Sequence, residues 1–360
     1  MARAELDRRT QRARLRRERR FGLHANERLA EGLKRMALGQ LDLAIEQVEC
    51  AGGRVPVGVA VHEARKALKR LRTLLYLLRD ELGEQAFARE TDLVRETGRR
   101  LAGARDADVL VRTLDDLVAR YPADLAHLGD LARLRVALVA EREHAEAMTL
   151  DGVTQAQALL YLREVRIRVC GWSLADRGGI AAIERPLRRL YRQGRRRMAR
   201  AALGSRSRAR AFHRWRKRVK DLRYAAELLE RPRSKRRAAG VGASRSQSAK
   251  AREGAAHIRT LARRADSLGE LLGEEHDLTV LAVRVSANAG DADGVAPAGS
   301  GARTGVPGRK TRRTVLKLIK RRRRRLRKRA LRRGKRIYRE RPKRFMEGVR
   351  RAYSRAERVS

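Results

Sequence analysis

Cysteine is nearly absent: Cys50 and Cys170 stand alone in 360 residues, with no CxxC spacing. No disulfide framework or zinc site is expected, and a reducing compartment, the cytoplasm, is the default. Long apolar runs are missing as well. No window approaches the ~18 uninterrupted apolar residues of a membrane-spanning helix. The opening MARAELDRRTQRARLRRERR is basic with no apolar segment after it. Residues 1–20 are therefore expected to form a flexible basic arm and not a secretory signal. Proline is scarce at 7 residues, and there are only 2 Trp, 7 Tyr and 4 Phe. The first shortage removes helix breakers. The second removes the stacking platforms that single-strand nucleic-acid binders combine with a basic groove. Acidic residues number 42 against 89 Lys plus Arg, a net charge of +47. A compact chain with that charge repels itself and attracts polyanions by counterion release. Nucleic acid, an anionic membrane surface and a polymeric phosphate are the partners this admits. Arg greatly outnumbers Lys, which suits bidentate phosphate contacts and equally suits a GC-rich genome. No GxxxxGK[ST] loop, HExxH or GxSxG motif is present, so neither an enzyme nor a cofactor is expected.

What remains is helix. Ala, Leu, Arg and Glu dominate, and no run alternates apolar and polar residues between turn signals as a strand would. The amphipathic segment 26–50 closes at the turn AGGRVPVG. Helices are predicted at 59–80, 84–102, 106–120, 124–148, 153–170, 180–203, 209–230, 256–273, 275–288 and 311 to about 340, with a last turn or two after Pro342. Residues 231–254, rich in Ser, Gly and basic residues, read as a disordered insertion, and 288–308 as a Gly/Ala/Pro linker.

One helix is written twice. VHEARKALKRLR at 61–72 and FHRWRKRVKDLR at 212–223 are 151 positions apart. The apolar positions of the first are Val61, Ala64, Leu68, Leu71, Leu75 and Leu78. Those of the second are Phe212, Trp215, Val219, Leu222, Ala226 and Leu229, at the same steps. Each set is one buried stripe. Beside the stripes run His62, Arg65, Lys66, Lys69 and Arg72, matched by His213, Arg216, Lys217, Lys220 and Arg223. Of eight identities across 19 aligned residues, five are this polar set. A repeat kept only for packing would preserve the apolar residues first. The pattern therefore implies that both copies face one ligand, and cations packed this densely on a helix need an anion to line them. A second pair supports the repeat: LAGARDADVL at 101–110 resembles LGEEHDLTVL at 272–281, aligning Asp106 with Asp277. Each Asp is expected in the first turn of a helix. For His62 and His213 a phosphate contact and a structural hydrogen bond both stay open, and no metal site is expected because no second ligand sits at the right spacing.

The chain ends in its densest charge. From Arg303 to Ser360 there are 27 basic and 3 acidic residues, a net of +24. Val315, Ile319, Leu326, Ala330 and Ile337 form a heptad-like stripe there. One face should dock on the second half, while the other, with RRRRR at 321–325, should project cations toward polyphosphate, nucleic acid or anionic lipid.

At HEARKALKRLR (62–72), HRWRKRVKDLRYAAELLE (213–230), the RDADVL and HDLTVL segments and the Tyr191-xx-Gly-Arg195 stretch, the sequence resembles the CHAD family, the conserved histidine α-helical domain. Tyr224 fits the family's usual Tyr after the motif Arg; the first copy has Thr73 instead. The resemblance implies an all-α fold of two four-helix bundles related by a pseudo-twofold, residues 21–178 and 179–355. It implies a basic channel or surface that binds inorganic polyphosphate, with Arg195 joining the ten repeated residues. The chain lacks the Glu-x-Glu-x-Lys strand of the triphosphatase domain found beside some relatives. It looks like the stand-alone kind associated with polyphosphate granules in the cytoplasm. The basic termini and the 231–254 insertion leave nucleic acid as the alternative partner.

Overall fold

The computed structural model describes residues 15, 17–24, 27–149, 151–175, 179–204, 208–230, 245–287 and 307–357. Most of the expected arm (1–14), most of the expected insertion (231–244) and most of the expected linker (288–306) lie outside the described residues.

The described chain is built from helices α1 (Leu29–Cys50), α2 (Val57–Leu77), α3 (Arg79–Leu82), α4 (Glu84–Arg100), α5 (Ala102–Arg120), α6 (Pro122–Leu125), α7 (Asp130–Thr149), α8 (Gly152–Cys170), α9 (Ala181–Ala202), α10 (Arg208–Leu228), α11 (Arg245–Ala287), α12 (Arg309–Ile337) and α13 (Pro342–Glu357). Among the described residues the only β pairing is an isolated bridge between Ala51 and Val55. The fold is all-α, as the sequence predicts. No helix among the described residues is long and apolar enough to cross a membrane.

Two rings of four helices organise the chain. In the first, α1 packs on α2, α2 on α4, α4 on α8 and α8 on α1. In the second, α9 packs on α10, α10 on α11, α11 on α13 and α13 on α9. Each ring carries a further antiparallel pair, α5 with α7 and α11 with α12. Between the rings α2 meets α10, and α5 meets α11. The repeated helices of the sequence are thus the two that face each other across the seam. All twelve apolar positions of the two stripes are buried. They anchor α2 in one ring and α10 in the other, each large side chain contributing about 1.5–3 kcal/mol.

Helix boundaries differ from the sequence reading: the last turn or two expected after Pro342 is a 16-residue helix that closes the second ring, and the helix expected at 124–148 is split at 126–129 into α6 and α7. The break expected at residue 274 is absent: α11 runs unbroken for 43 residues. Ion pairs from α12 to Glu274 and Glu275 bracket that turn and hold it helical. This helix also begins at Arg245, inside the stretch read as a disordered insertion. At the other end, the tip of the basic arm is folded back on α1. Arg19 pairs with Glu46, its carbonyl accepts from Gln40 at 3.4 Å, and Leu23 is fully buried.

The arginine-rich helix α12 docks by the stripe read from the sequence, with Val315, Ile319, Leu326, Ala330 and Ile337 all buried. Its RRRRR run does not project as a block, which corrects the sequence reading. Arg322 lies on Glu274 at 2.5 Å and Arg323 on Glu275 at 3.1 Å, so only Arg321, Arg324 and Arg325 point to solvent. Glu275 is buried and also receives Arg327 at 2.6 Å.

The second ring closes on aromatics. Tyr191 of α9 stacks on Phe345 of α13 with ring centroids 3.8 Å apart. Its hydroxyl donates to the carbonyls of Ile337 and Glu340 at 3.1 and 3.2 Å, stitching α9 to the α12–α13 turn. Two glycines make room for this closure: Tyr338 occupies the space a Cβ on Gly194 would take, and Trp215 the space beside Gly334. A Cβ at Gly334 would lie 2.5 Å from Trp215, which is fully buried and cannot retreat. Gly334→Ala would gain about 1 kcal/mol of helix propensity and lose about 1–3 kcal/mol to overpacking. A net loss of stability is expected in chemical denaturation, with far-UV helicity unchanged; an unchanged or raised midpoint would show that α12 is not seated against Trp215.

Candidate anion-binding site

The polar faces of α2 and α10 look across the seam, and the repeated residues gather there. Their stripes are spaced so that Lys69 and Lys220, one helical turn beyond Arg65 and Arg216, fall where the two helices approach. Burial holds the Lys69 ammonium down to about 8, helped by repulsion from Arg65 and Arg216. Burial likewise lowers Lys220 to about 7, with Arg216 and Lys69 next among the causes. Among the described residues neither ammonium has a hydrogen-bonded carboxylate. Two half-buried ammonium groups among arginines, with Asp277 the carboxylate whose charge bears on Lys220, are costly to hold charged.

Each copy holds its arginine in the same way. Arg65 lies 3.8 Å from Asp106 and Arg216 lies 4.0 Å from Asp277. These are the two Asp residues that the sequence repeat aligns. Both arginines are mostly buried, 18% and 20% exposed, and the Nε of each is buried without a hydrogen-bond partner. Arg65 also donates to the Gly98 carbonyl at 2.8 Å. Asp106 is the fifth residue of α5, but Asp277 lies deep inside α11 and not in a first turn as the sequence reading expects, because α11 runs on unbroken through residue 274. Both aspartates orient the guanidiniums at long range and leave donor capacity free, as an anion site requires.

The histidines are matched in surroundings too. His213 Nδ1 lies 3.2 Å from Nδ1 of His276, with ring centroids 4.4 Å apart. His62 has Arg105 among its charged neighbours, at the position the repeat aligns with His276. Burial is the main cause lowering both, and it presses His276 down to about 3. His276 and Arg105 are members of the cluster that sequence reasoning missed. Their signal was available one residue before each aligned Asp.

The remaining positions diverge. Lys66 is drawn to Glu63 at 3.0 Å, while Lys217 is exposed with no carboxylate on it. Arg223 is spent on Glu227 at 2.7 Å and on Asp266. Arg72 instead lies near Asp221, which is deeply placed with Thr73 and Arg218 around it. Burial raises the Asp221 carboxyl against the pull of these arginines. Arg70 closes the crossing with Glu227 at 3.1 Å. Arg195 is not brought into this cluster. It is exposed and its charge bears on Tyr191, on the side of α9 facing the α12–α13 turn. Its neighbours Arg196, Arg197 and Arg200 are the residues of α9 that face α10.

Among the described residues no group of three or more His, Cys, Asp or Glu could hold a metal. Cys50 and Cys170 are both free thiols. What the seam offers chemically is a set of fixed, partly desolvated N–H donors with unspent positive charge.

The model of the family described as CHAD domain matches residues 39–243, more than half the chain and both repeated helices. Among solved structures, the crystal structure of the CHAD domain from the plant Ricinus communis is similar at 21% identity. That match covers 75% of this chain and 82% of the other, with a TM-score of 0.47. No curated protein matches the chain.

The lysine pair has a consequence for stability. In the unfolded chain both lysines titrate near the ordinary 10.5; in the fold they titrate near 8 and 7. Between those values the unfolded state binds more protons, so stability rises with pH from about 7 to about 10. Lys69→Met with Lys220→Met is expected to raise the urea midpoint at pH 7 and to flatten its rise toward pH 10. A parallel, unshifted pH profile in the double variant would show that these ammonium groups are not held in the seam as described.

Proposed function

This chain belongs to the CHAD domain family, and from that footing we propose that it binds inorganic polyphosphate along the seam between α2 and α10. The observation that carries the reading is the clustering of Lys69 and Lys220 with Arg65 and Arg216, two mostly buried guanidiniums with unused donors. Polyphosphate is a flexible chain with charge on every unit and no base to read. Its recognition calls for closely spaced cations of fixed orientation and no stacking aromatics, and the residues supplied match that demand. His62, Lys66, Arg72, His213, Lys217 and Arg223 flank the four as contributors, with Arg223 restrained by its ion pairs.

The protein is a binder in this reading and not an enzyme. Nothing in the cluster combines a nucleophile with a base, and the carboxylates present are engaged with arginines. A binder of a storage polymer would be placed on polyphosphate granules in the cytoplasm. Nucleic acid is the second reading, favoured by the outward cations Arg321, Arg324 and Arg325 on α12. The two differ in where the energy comes from. Bulk charge would bind any polyanion with a steep salt slope, whereas the seam would retain polyphosphate at salt that releases a duplex.

His62→Ala with Arg65→Ala is expected to weaken long-chain polyphosphate binding about as much as His213→Ala with Arg216→Ala, each by roughly ten- to a hundredfold for loss of charged contacts. Binding titrations in a salt series, with a length-matched DNA duplex alongside, read this out. An intact fold with either pair indifferent would break the shared-site reading. Equal affinities and salt slopes for both polymers would hand the function to net charge.

A further inference from the structure

Among the described residues, three clefts stand out for clustered cations. One, of about 320 Å³, lies beside His62 between α2 and α5, but Asp108 and Glu146 line it with Arg105 and Arg112. Its charge is balanced. A second, of about 350 Å³, lies between α11 and α12, where Arg333 is occupied by Ser267. The third, of about 410 Å³, is formed by Arg196, Arg197 and Arg200 of α9 with Arg214, Lys217 and Arg218 of α10. Among the described residues no carboxylate lines it.

The third cleft breaks the twofold pattern in a directed way. The five repeated positions are identical between α2 and α10, but most of the positions between them are not. Arg214 stands where α2 has Glu63, and Arg218 where α2 has Ala67. On α1, the helix that packs on α2 as α9 packs on α10, the surface carries Asp42, Glu46 and Glu49, already paired with Arg166, Arg19 and Arg163. The first ring thus carries carboxylates, paired with α8 and with Arg19, on the helix whose counterpart α9 carries Arg196, Arg197 and Arg200. Two features make the cleft more than a solvated charged face. Arg218 is fixed by Gln193 at 3.1 Å and Asp221 at 2.9 Å, so one wall is set before any ligand arrives. Arg197 is held below its ordinary range by burial and by the crowding of Arg200, Arg214 and Arg218, which a bound anion would relieve.

Lys217 belongs to this cleft and to the repeated face alike, and its charged neighbours Arg72 and Arg218 come from the two sides. We infer that the cleft between α9 and α10 is a second phosphate subsite, onto which a polyphosphate chain seated between α2 and α10 continues past Lys217, so that the chain leaves the seam over the second ring only. This rests on the polyphosphate reading of the seam and adds polarity and length selection to it. A short anion fills the seam alone; a long chain gains the cleft as well.

The test compares tripolyphosphate with long-chain polyphosphate on the full chain and two triple variants. Arg196→Gln/Arg197→Gln/Arg200→Gln strips the cleft. Arg263→Gln/Arg264→Gln/Arg336→Gln removes the same charge from the cleft between α11 and α12 and controls for net charge. Five of these six arginines are exposed, Arg197 is half-buried, and Gln suits helices, so unchanged circular dichroism and thermal midpoints are expected. The α9 triple should lose about tenfold or more in long-chain affinity, with the slope of log K against log salt shallower by about two, since each phosphate contact on a flexible strand contributes roughly 0.7. It should leave tripolyphosphate affinity within about twofold of the parent, and the control triple should lose clearly less for the long chain. Equal long-chain losses in the two triples, or an equal loss of tripolyphosphate binding in the α9 triple, would overturn the subsite. If the unaltered chain binds neither anion, the seam reading fails and the subsite with it. If it binds both and only the subsite arm fails, the seam reading stands.

Discussion

Like charges held together between two packed units are the constraint on which the rest of this structure depends. Lys69 and Lys220 meet at the seam, ringed by Arg65, Arg216 and Arg105. Left to themselves, these groups would push α2 and α10 apart. The opposition is carried by the other faces of the same helices. Twelve apolar positions, six per helix, are buried in two separate rings, and each ring is closed by its own helices. The seam is therefore held by scaffolds that do not need it to be favourable. That arrangement suits a binding site: ordering cost and charge repulsion are met during folding, and a ligand that neutralises the seam meets preorganised donors.

Carboxylates are placed to steady this charge without cancelling it. Asp106 and Asp277 stand 3.8 and 4.0 Å from their arginines, beyond good hydrogen-bond distance. Shorter pairs would have spent the guanidiniums, as Glu227 and Asp266 spend Arg223. The buried acid Asp221 does a different task. It lies at the crossing itself with Thr73, Arg72 and Arg218 around it, where α2 has Arg70 at the matching position. Arg70 in turn reaches Glu227. The crossing is thus fastened largely by residues that differ between the copies, Asp221, Arg70 and Glu227 among them.

That division explains what the sequence could disclose. The stripes Val61 to Leu78 and Phe212 to Leu229 were legible because one helical period fixes which residues are buried. The five-residue face was legible because it repeats. His276 and Arg105 lay in plain view but required knowing that α11 and α5 flank the seam, a long-range fact that no local pattern encodes. Arg195 was named through resemblance, and one step of helical rotation sends it toward Tyr191 while Arg196 and Arg197 face α10. Spacing along α9 alone cannot set that rotation, because this helix carries arginine around most of its surface. The run at 321–325 misled for a related reason. Charge density announces cations, but only the tertiary partner decides that Arg322 and Arg323 belong to Glu274 and Glu275.

A net charge of +47 would give affinity for any polyanion, so specificity must come from where that charge sits. Surface arginines such as Arg321, Arg324 and Arg325 can reach the phosphates of a stiff duplex from outside. Lys69, Lys220 and the unsatisfied Nε atoms of Arg65 and Arg216 are recessed between two helices. A duplex would have to bend or open to present phosphates there, at a cost of several kcal/mol. On the proposed reading a flexible chain of linked phosphates would meet the same groups without deformation, and each phosphate would carry its own charge into the low-dielectric seam where pairing is strongest. Burial, which makes the empty seam unfavourable, is thus also what separates a thin flexible polyanion from a broad rigid one.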